Sequence, residues 1–308
     1  MGCKMLLNSK NGALETIKEV DFSSEKELQS LCENNLKTLL NLEFIATEFS
    51  VTNFRLDTVA YDEEANAFVI IEYKNKKNSS VIDQGYSYLS VMLNHKADFV
   101  LEYSRKTNKV HNIDDINWEQ SKVIFISPHF TNYQMNSINF KDLPIELWKI
   151  KKYNNDNMSF EQIKSINATA NISEIAPVKT SQNTIQVAQV TKTYTEDEHI
   201  AIGLPQIRDI YSTIKEFILT EDEEIVVKNT KLYIGFYKNR RCLVSIKIQK
   251  SSLIVWLNTD VDKVDDEKKL VRDVSNIGHQ GNGNSEIKIS DDSNMGYIQD
   301  ILRKYLNE

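Results

Sequence analysis

Residues 54–74, FRLDTVAYDEEANAFVIIEYK, decide how this chain reads. Two runs rich in β-branched and aromatic residues, FRLDTVAY (54–61) and FVIIEYK (68–74), flank the polar stretch DEEANA (62–67), so the segment reads as a β-hairpin. A turn centred between Glu64 and Ala65 pairs residues whose numbers sum to 129, which sets Asp57 opposite Glu72. Side chains alternate along a strand, so Glu72 and Lys74 project to one face and Asp57 joins them there. Directly opposed like charges destabilise a sheet. Val69, Ile70 and Ile71 mark the second strand as apolar on both faces, which adds a desolvation cost. A divalent cation held by Asp57 and Glu72 offsets both, since Mg²⁺ takes hard oxygen ligands and keeps several waters. Lys74 is then placed to orient or deprotonate an attacking water, or to neutralise charge on a phosphate.

The flanking sequence frames the hairpin. SSEKELQSLCENNLKTLLNL (23–42) spaces Leu28, Leu31, Cys32, Leu36, Leu39 and Leu40 along one helix face, with Ser24 and Glu27 at capping-box spacing. FIATEFSV (44–51) reads as a further strand. A helix over roughly 81–94 carries Gln84 and Tyr88 four residues apart, on one face. Strands are expected at ADFVLEY (97–103), KVIFIS (122–127) and IELWKI (145–150), giving the order α, β, β, β, α, β, β, β and an α/β (α+β) fold class.

An acidic helix, an Asp, an E-x-K and a downstream Q-x-x-x-Y in this order resemble the PD-(D/E)XK nuclease superfamily. The likeness is to its RecB-type and NucS-type branches and covers about residues 20–150. The matching positions are Glu33, Asp57, Glu72, Lys74, Gln84 and Tyr88; no Pro precedes Asp57, that Pro being among the least essential letters of the pattern. The resemblance implies a restriction-endonuclease-like mixed sheet flanked by helices. It implies Mg²⁺ or Mn²⁺ on Asp57 and Glu72, with Lys74 assisting the attacking water and Gln84 and Tyr88 positioning the strand or the metal shell. It also implies DNA as substrate, in restriction, repair or defence in a bacterial cytoplasm, and it admits a homodimer. The helix carboxylate stays open between Glu33, the capping partner Glu27 and Glu48 on the preceding strand. Arg55, two before Asp57 on the same face, either contacts a phosphate or pairs with a carboxylate. Lys76 and Lys77 either wall a groove for a nucleic-acid backbone or mark the charged end of a strand. The other function class is a nucleic-acid-binding or assembly module that keeps this fold without cutting. An intact Asp57, Glu72 and Lys74 set argues against it.

Beyond residue 150 the composition shifts to Asn, Ser, Thr and Gln, which reads as a polar connector over 151–200 before a second α+β domain at 201–308. That domain is expected to hold a helix at 205–219, strands near 231–238, 241–249, 252–258 and 286–290, and a last helix near 294–306. The chain has only nine glycines, and Gly278, Gly281 and Gly283 crowd around His279 in GHQGNG. The loop either exposes backbone N–H groups to an anion or makes a turn needing positive φ. Together with YTEDEH (194–199) this region resembles an uncharacterised C-terminal domain that follows such nuclease-like domains in bacterial proteins, which implies no activity. Lys238, Arg240, Arg241, Lys247 and Lys250 make a second basic set, beside Phe236, Tyr237 and Leu243.

The gross features exclude other classes. Thirty-seven Lys and Arg against 44 Asp and Glu leave a net charge of −7, so a nucleic-acid partner needs a local basic groove. No apolar stretch nears the roughly 20 residues of a membrane span, and the start lacks a secretory cleavage pattern. Three scattered cysteines fit a reducing cytoplasm and form no zinc or disulfide framework. The histidines show no HExxH spacing, and no GxSxG elbow is present.

Overall fold

The computed structural model describes residues 6–75, 81–139, 143–164, 194–239 and 241–307. The chain divides into two compact units, Met1–Lys192 and Thr193–Glu308. Both are mixed α+β.

The first unit opens with a two-stranded ribbon, β1 (Leu6–Lys10) and β2 (Ala13–Ile17), followed by the short β3 (Glu19–Val20). The helix expected over 23–42 is two helices, α1 (Glu25–Glu33) and α2 (Leu36–Leu40). The break falls on Asn34 and Asn35, residues whose side chains compete for nearby backbone groups; the Asn35 amide donates to the Leu31 carbonyl at 2.8 Å. The Ser24 hydroxyl caps α1 by accepting from the Glu27 N–H at 3.0 Å, while the Glu27 carboxylate reaches back to Ser23.

Next come β4 (Glu43–Val51), β5 (Phe54–Asp62) and β6 (Ala67–Tyr73), with β5 antiparallel to both β4 and β6. β6 then pairs in parallel with β7 (Lys122–Ser127), and β7 in parallel with β8 (Ile145–Tyr153). A parallel neighbour needs a long crossover. Between β6 and β7 it contains α3 (Val81–Asn94) and α4 (Lys96–Thr107). Every residue of β6 is buried, as its apolar run requires of a strand covered on both faces. Phe68 and Ile70 pack with α3 and α4, whereas Val69, Ile71 and Tyr73 pack with Leu28, Cys32 and Leu36 of α1 and α2.

Two expectations need correction. ADFVLEY is part of helix α4, where Phe99, Val100 and Tyr103 bury one helical face and Leu101 is 50% exposed; strand alternation would have buried Leu101 with Phe99 and Tyr103. The strand expected to end at 150 continues to Tyr153 and turns back into β9 (Met158–Ile163), so residues 151–163 belong to the first sheet and not to a connector. Trp148 and Phe160 stack across that hairpin with centroids 4.8 Å apart. A short α5 (Asn132–Ser137), capped by Thr131 and Gln134, lies between β7 and β8.

The second unit is an antiparallel sheet in the order β10 (Val226–Asn229), β11 (Ile234–Lys238), β12 (Arg241–Ile248), β13 (Leu253–Leu257), β15 (Ser285–Ile289), β14 (Val271–Asp273). Helices Pro205–Glu221 and Met295–Leu306 cover one face, through Ile207, Ile214 and Leu302 against Phe236, Val244 and Val255. β10 and β14 are short strands at the two edges that the sequence reading leaves out. No described helix is long and apolar enough to cross a membrane.

Candidate functional site

The β5–β6 register fixes the site. Thr58 pairs with Ile71 and Tyr61 with Phe68, the sum of 129 read from the turn, so the next step along the ladder faces Asp57 toward Glu72. Asp57 is half-buried and its Oδ2 accepts from the Tyr73 N–H at 3.0 Å. Glu72 is buried. Its Oε1 accepts from Lys74 Nζ at 2.5 Å and from Gln84 Nε2 at 2.9 Å. Gln84 Nε2 also lies 2.8 Å from the Tyr88 hydroxyl, so the i, i+4 pair on α3 is joined to the strand carboxylate. Lys74 directly follows β6 and is tied to β7 by its own N–H, which donates to the Ile126 carbonyl at 3.0 Å. Five of the residues picked from the sequence thus meet in one place: Asp57, Glu72, Lys74, Gln84 and Tyr88.

Charge in this cluster is unbalanced. Burial and then the negative charge of Glu72 push the Asp57 carboxyl up to about 7, against the opposing pull of the Tyr73 N–H and the Lys74 ammonium. Burial likewise raises the Tyr88 phenol, which stays protonated near neutral pH. Glu72 Oε2 is buried and has no hydrogen-bond partner, a costly state for a carboxylate oxygen. A hard cation beside Glu72 Oε2 and Asp57 would relieve both the orphaned oxygen and the raised Asp57. Among the described residues there is no group of three or more His, Cys, Asp or Glu suited to a metal. Two carboxylates and water suit Mg²⁺, which keeps several waters of its own.

The remaining expected residues lie elsewhere. Glu33 Oε1 accepts from Thr58 Oγ1 at 2.6 Å and from Gln29 Nε2 at 2.9 Å. Thr58 also touches the Tyr73 hydroxyl, on the side of the sheet facing α1, so the structure does not bring Glu33 to Glu72. The sequence reading passed over Gln29: it is buried and its amide also donates to the Asp57 carbonyl at 2.9 Å, linking α1 to the metal-ligand candidate. No signal in the sequence marks it, because a Gln on a helix is ordinarily solvated. Glu27 is structural, held down to about 2 by Lys152 and Ser23. Glu48 has the left-handed φ of 51° and pairs with Lys26 and Arg55, so Arg55 takes the carboxylate partner of its two readings. Lys76 and Lys77 lie outside the described residues.

The GHQGNG loop is built against β13. A Cβ on Gly281 would meet the Trp256 indole at 2.0 Å, and Gly283 has φ +112° with the Leu257 carbonyl 2.1 Å from a Cβ position. These two glycines therefore serve close packing and a turn. Gly278 faces open space, and His279 Nδ1 lies 2.9 Å from the Ile277 carbonyl.

The raised Asp57 makes a stability prediction for the metal-free protein. Its folded pKa of about 7 exceeds the ordinary 3.8, so the folded state holds the proton more tightly. The wild type then loses stability as pH rises from about 4 to about 7 and is level above that. Asp57→Asn has no such loss. In EDTA the variant is expected to match the wild type near pH 4 and exceed it by roughly 2 kcal/mol at pH 8, measured by urea unfolding. An advantage that shrinks with rising pH would show that Asp57 carries no such strain.

No family model matches the chain. An uncharacterised protein of Haemophilus influenzae is 41% identical over 303 residues, covering 98% of this chain and 99% of the relative. Two solved structures align with part of the chain. A repair endonuclease from Pyrococcus abyssi is 16% identical with a TM-score of 0.26, over 43% of this chain and 49% of the other. An EndoMS–dsDNA complex is 15% identical with a TM-score of 0.21, over 37% and 40%. In each case the chain spans less than half of the solved protein.

Proposed function

The chain belongs to one family with the Haemophilus influenzae protein, and we propose that its first unit is a metal-dependent nuclease hydrolysing phosphodiester bonds in DNA. The observation that carries this reading is the buried Glu72 carboxylate, bound on one oxygen by Lys74 and Gln84 and left without a partner on the other.

Asp57 and Glu72 would hold Mg²⁺ or Mn²⁺. The ion when bound supplies Lewis acidity toward a phosphoryl oxygen and acidifies water. Lys74, with a side chain 15% exposed, is positioned at the rim of the pair. Its ammonium orients the attacking water and offsets the charge that builds on the phosphate as the bond to water forms. Gln84 and Lys74 hold Glu72 through Oε1, which leaves Oε2 as the oxygen for the ion. Tyr88 backs Gln84 from the next helical turn and is itself held by the edge of Phe54, with centroids 6.5 Å apart. Removing Gln84 should leave the charges in place but loosen their geometry.

The deciding assay offers the purified protein single- and double-stranded DNA and RNA with Mg²⁺, Mn²⁺ or EDTA. Cleavage of DNA that requires the metal is expected. Retention of DNA without cleavage under every metal condition would leave a binding module that keeps the fold, and no interaction with any nucleic acid would remove both readings.

A further inference from the structure

Residues 225–259 hold seven Lys and Arg and no Asp or Glu, a local charge of +7 in a chain whose net charge is −7. The other 273 residues therefore carry −14. The described part of this basic segment forms β10 to β13 and the turns between them, in the sheet of the second unit.

One face of that sheet is covered by helices through Val244, Ile246, Val255 and Ile287. The residues alternating with these lie on the other face. There the register sets Lys247, Ile254 and Lys288 in a row across β12, β13 and β15. The next row is Ser245, Trp256, Glu286 and Arg272. The one carboxylate in these two rows is already committed, since Glu286 accepts from Trp256 Nε1 at 2.9 Å and from Arg272 at 2.6 Å. The GHQGNG loop lies on the same face. The Asn282 N–H donates to Ser245 Oγ at 2.8 Å, and the Gln280 side-chain oxygen accepts from Lys247.

Lys238 spends its charge within the unit, on Asp222 and Glu224. Lys247, Lys250 and Lys288 form no ion pair among the described residues, and Lys250 and Lys288 are exposed. Cations kept close together without counter-charge repel one another and attract a polyanion, whose neutralised phosphates release condensed counterions.

We propose that this face of the second unit, together with the β12–β13 turn that carries Lys250, binds the phosphate backbone of nucleic acid, with Lys247, Lys250 and Lys288 as the phosphate contacts. Such contacts hold and orient a strand without reading its sequence. The choice of nucleic acid among polyanions rests on the phosphodiester reading of the first unit. The binding itself requires no cleavage.

The test uses the full chain in EDTA with fluorescein-labelled 30-mer DNA, single-stranded and duplex, followed by anisotropy over a range of salt. K247E/K250E/K288E is expected to weaken binding at least tenfold and to flatten the slope of log K against log salt by about 2 to 3, roughly one unit per lost contact. The milder K247Q/K250Q/K288Q, checked by thermal unfolding, is expected to shift both in the same direction. The equal charge change K263E/K269E/K304E, at positions outside the face, is expected to cost less than threefold. Unchanged affinity and slope in the triple variants would overturn the proposal. So would an equal loss in the control, or binding to phosphatidylserine vesicles in place of DNA. Because no divalent ion is present, an inactive site in the first unit leaves these outcomes readable.

Discussion

Lys74→Ala is expected to lower metal-dependent DNA cleavage by about 10³-fold while leaving DNA affinity within a few-fold, measured as single-turnover rates at saturating protein. The ammonium sits 2.5 Å from a buried carboxylate oxygen and forms no ion pair with another acidic group among the described residues. Removing it takes away the group proposed to offset charge on the phosphate and leaves Glu72 with one amide donor. Stability must be read beside activity. Breaking a buried ion pair costs about 3–5 kcal/mol when the remaining charge stays unpaired, but a divalent cation on Glu72 would supply the missing counter-charge. The variant is therefore expected to melt below the wild type in EDTA and close to it in millimolar Mg²⁺. Cleavage by Lys74→Ala within tenfold of the wild type would remove Lys74 from the reaction.

Phe68→Ala is expected to destabilise the first unit by about 4 kcal/mol and to leave the second unit's transition in place. Phe68 is fully buried on β6 and stands at the centre of an aromatic cluster: Tyr61 at 5.2 Å, Trp118 at 5.4 Å, Phe99 at 5.6 Å and Tyr103 at 5.8 Å between centroids. No small shift of these rings fills the space of a lost phenyl, because each is already held by other partners. Tyr103, for example, stacks on both Tyr61 and His111. The two units have separate apolar cores, so calorimetry should show one transition lowered by roughly 10 °C and the other unmoved. Val110→Ala, at a position 91% exposed, serves as the control and should change stability by less than about 0.5 kcal/mol. A single shared transition moving as one would mean that the units unfold together.

The β5–β6 hairpin was legible because a short polar turn fixes the strand register, and a period of two then decides which side chains meet. The sum of 129 holds from Thr58–Ile71 down to Asp62–Ala67. The α3 pair was legible for the same kind of reason, since Gln84 and Tyr88 are one helical turn apart. Segment 97–103 was not. Phe99, Leu101 and Tyr103 alternate like a buried strand, while Phe99, Val100 and Tyr103 fit a helix equally well, and only packing against β4 and β6 selects the second. Glu33 matches the acidic-helix position of the resembled family, a match in chain order that says nothing about which face of the sheet that helix covers. Its partners are Thr58 and Gln29 on the α1 side. The glycine loop reads ambiguously for a similar reason. The need for no side chain at Gly281 arises from Trp256, 25 residues away in sequence, and no local pattern reports that. Local rules settled what repeats within one or two elements, and tertiary packing settled the rest.

The most direct test of the Asp57–Glu72 site is anomalous diffraction at the manganese edge from crystals grown with Mn²⁺. A peak within bonding distance of Glu72 Oε2 and an Asp57 carboxylate oxygen is expected, absent from Glu72→Gln crystals grown the same way. No peak at this pair in wild-type crystals, or a peak that persists in Glu72→Gln, would contradict the site as described.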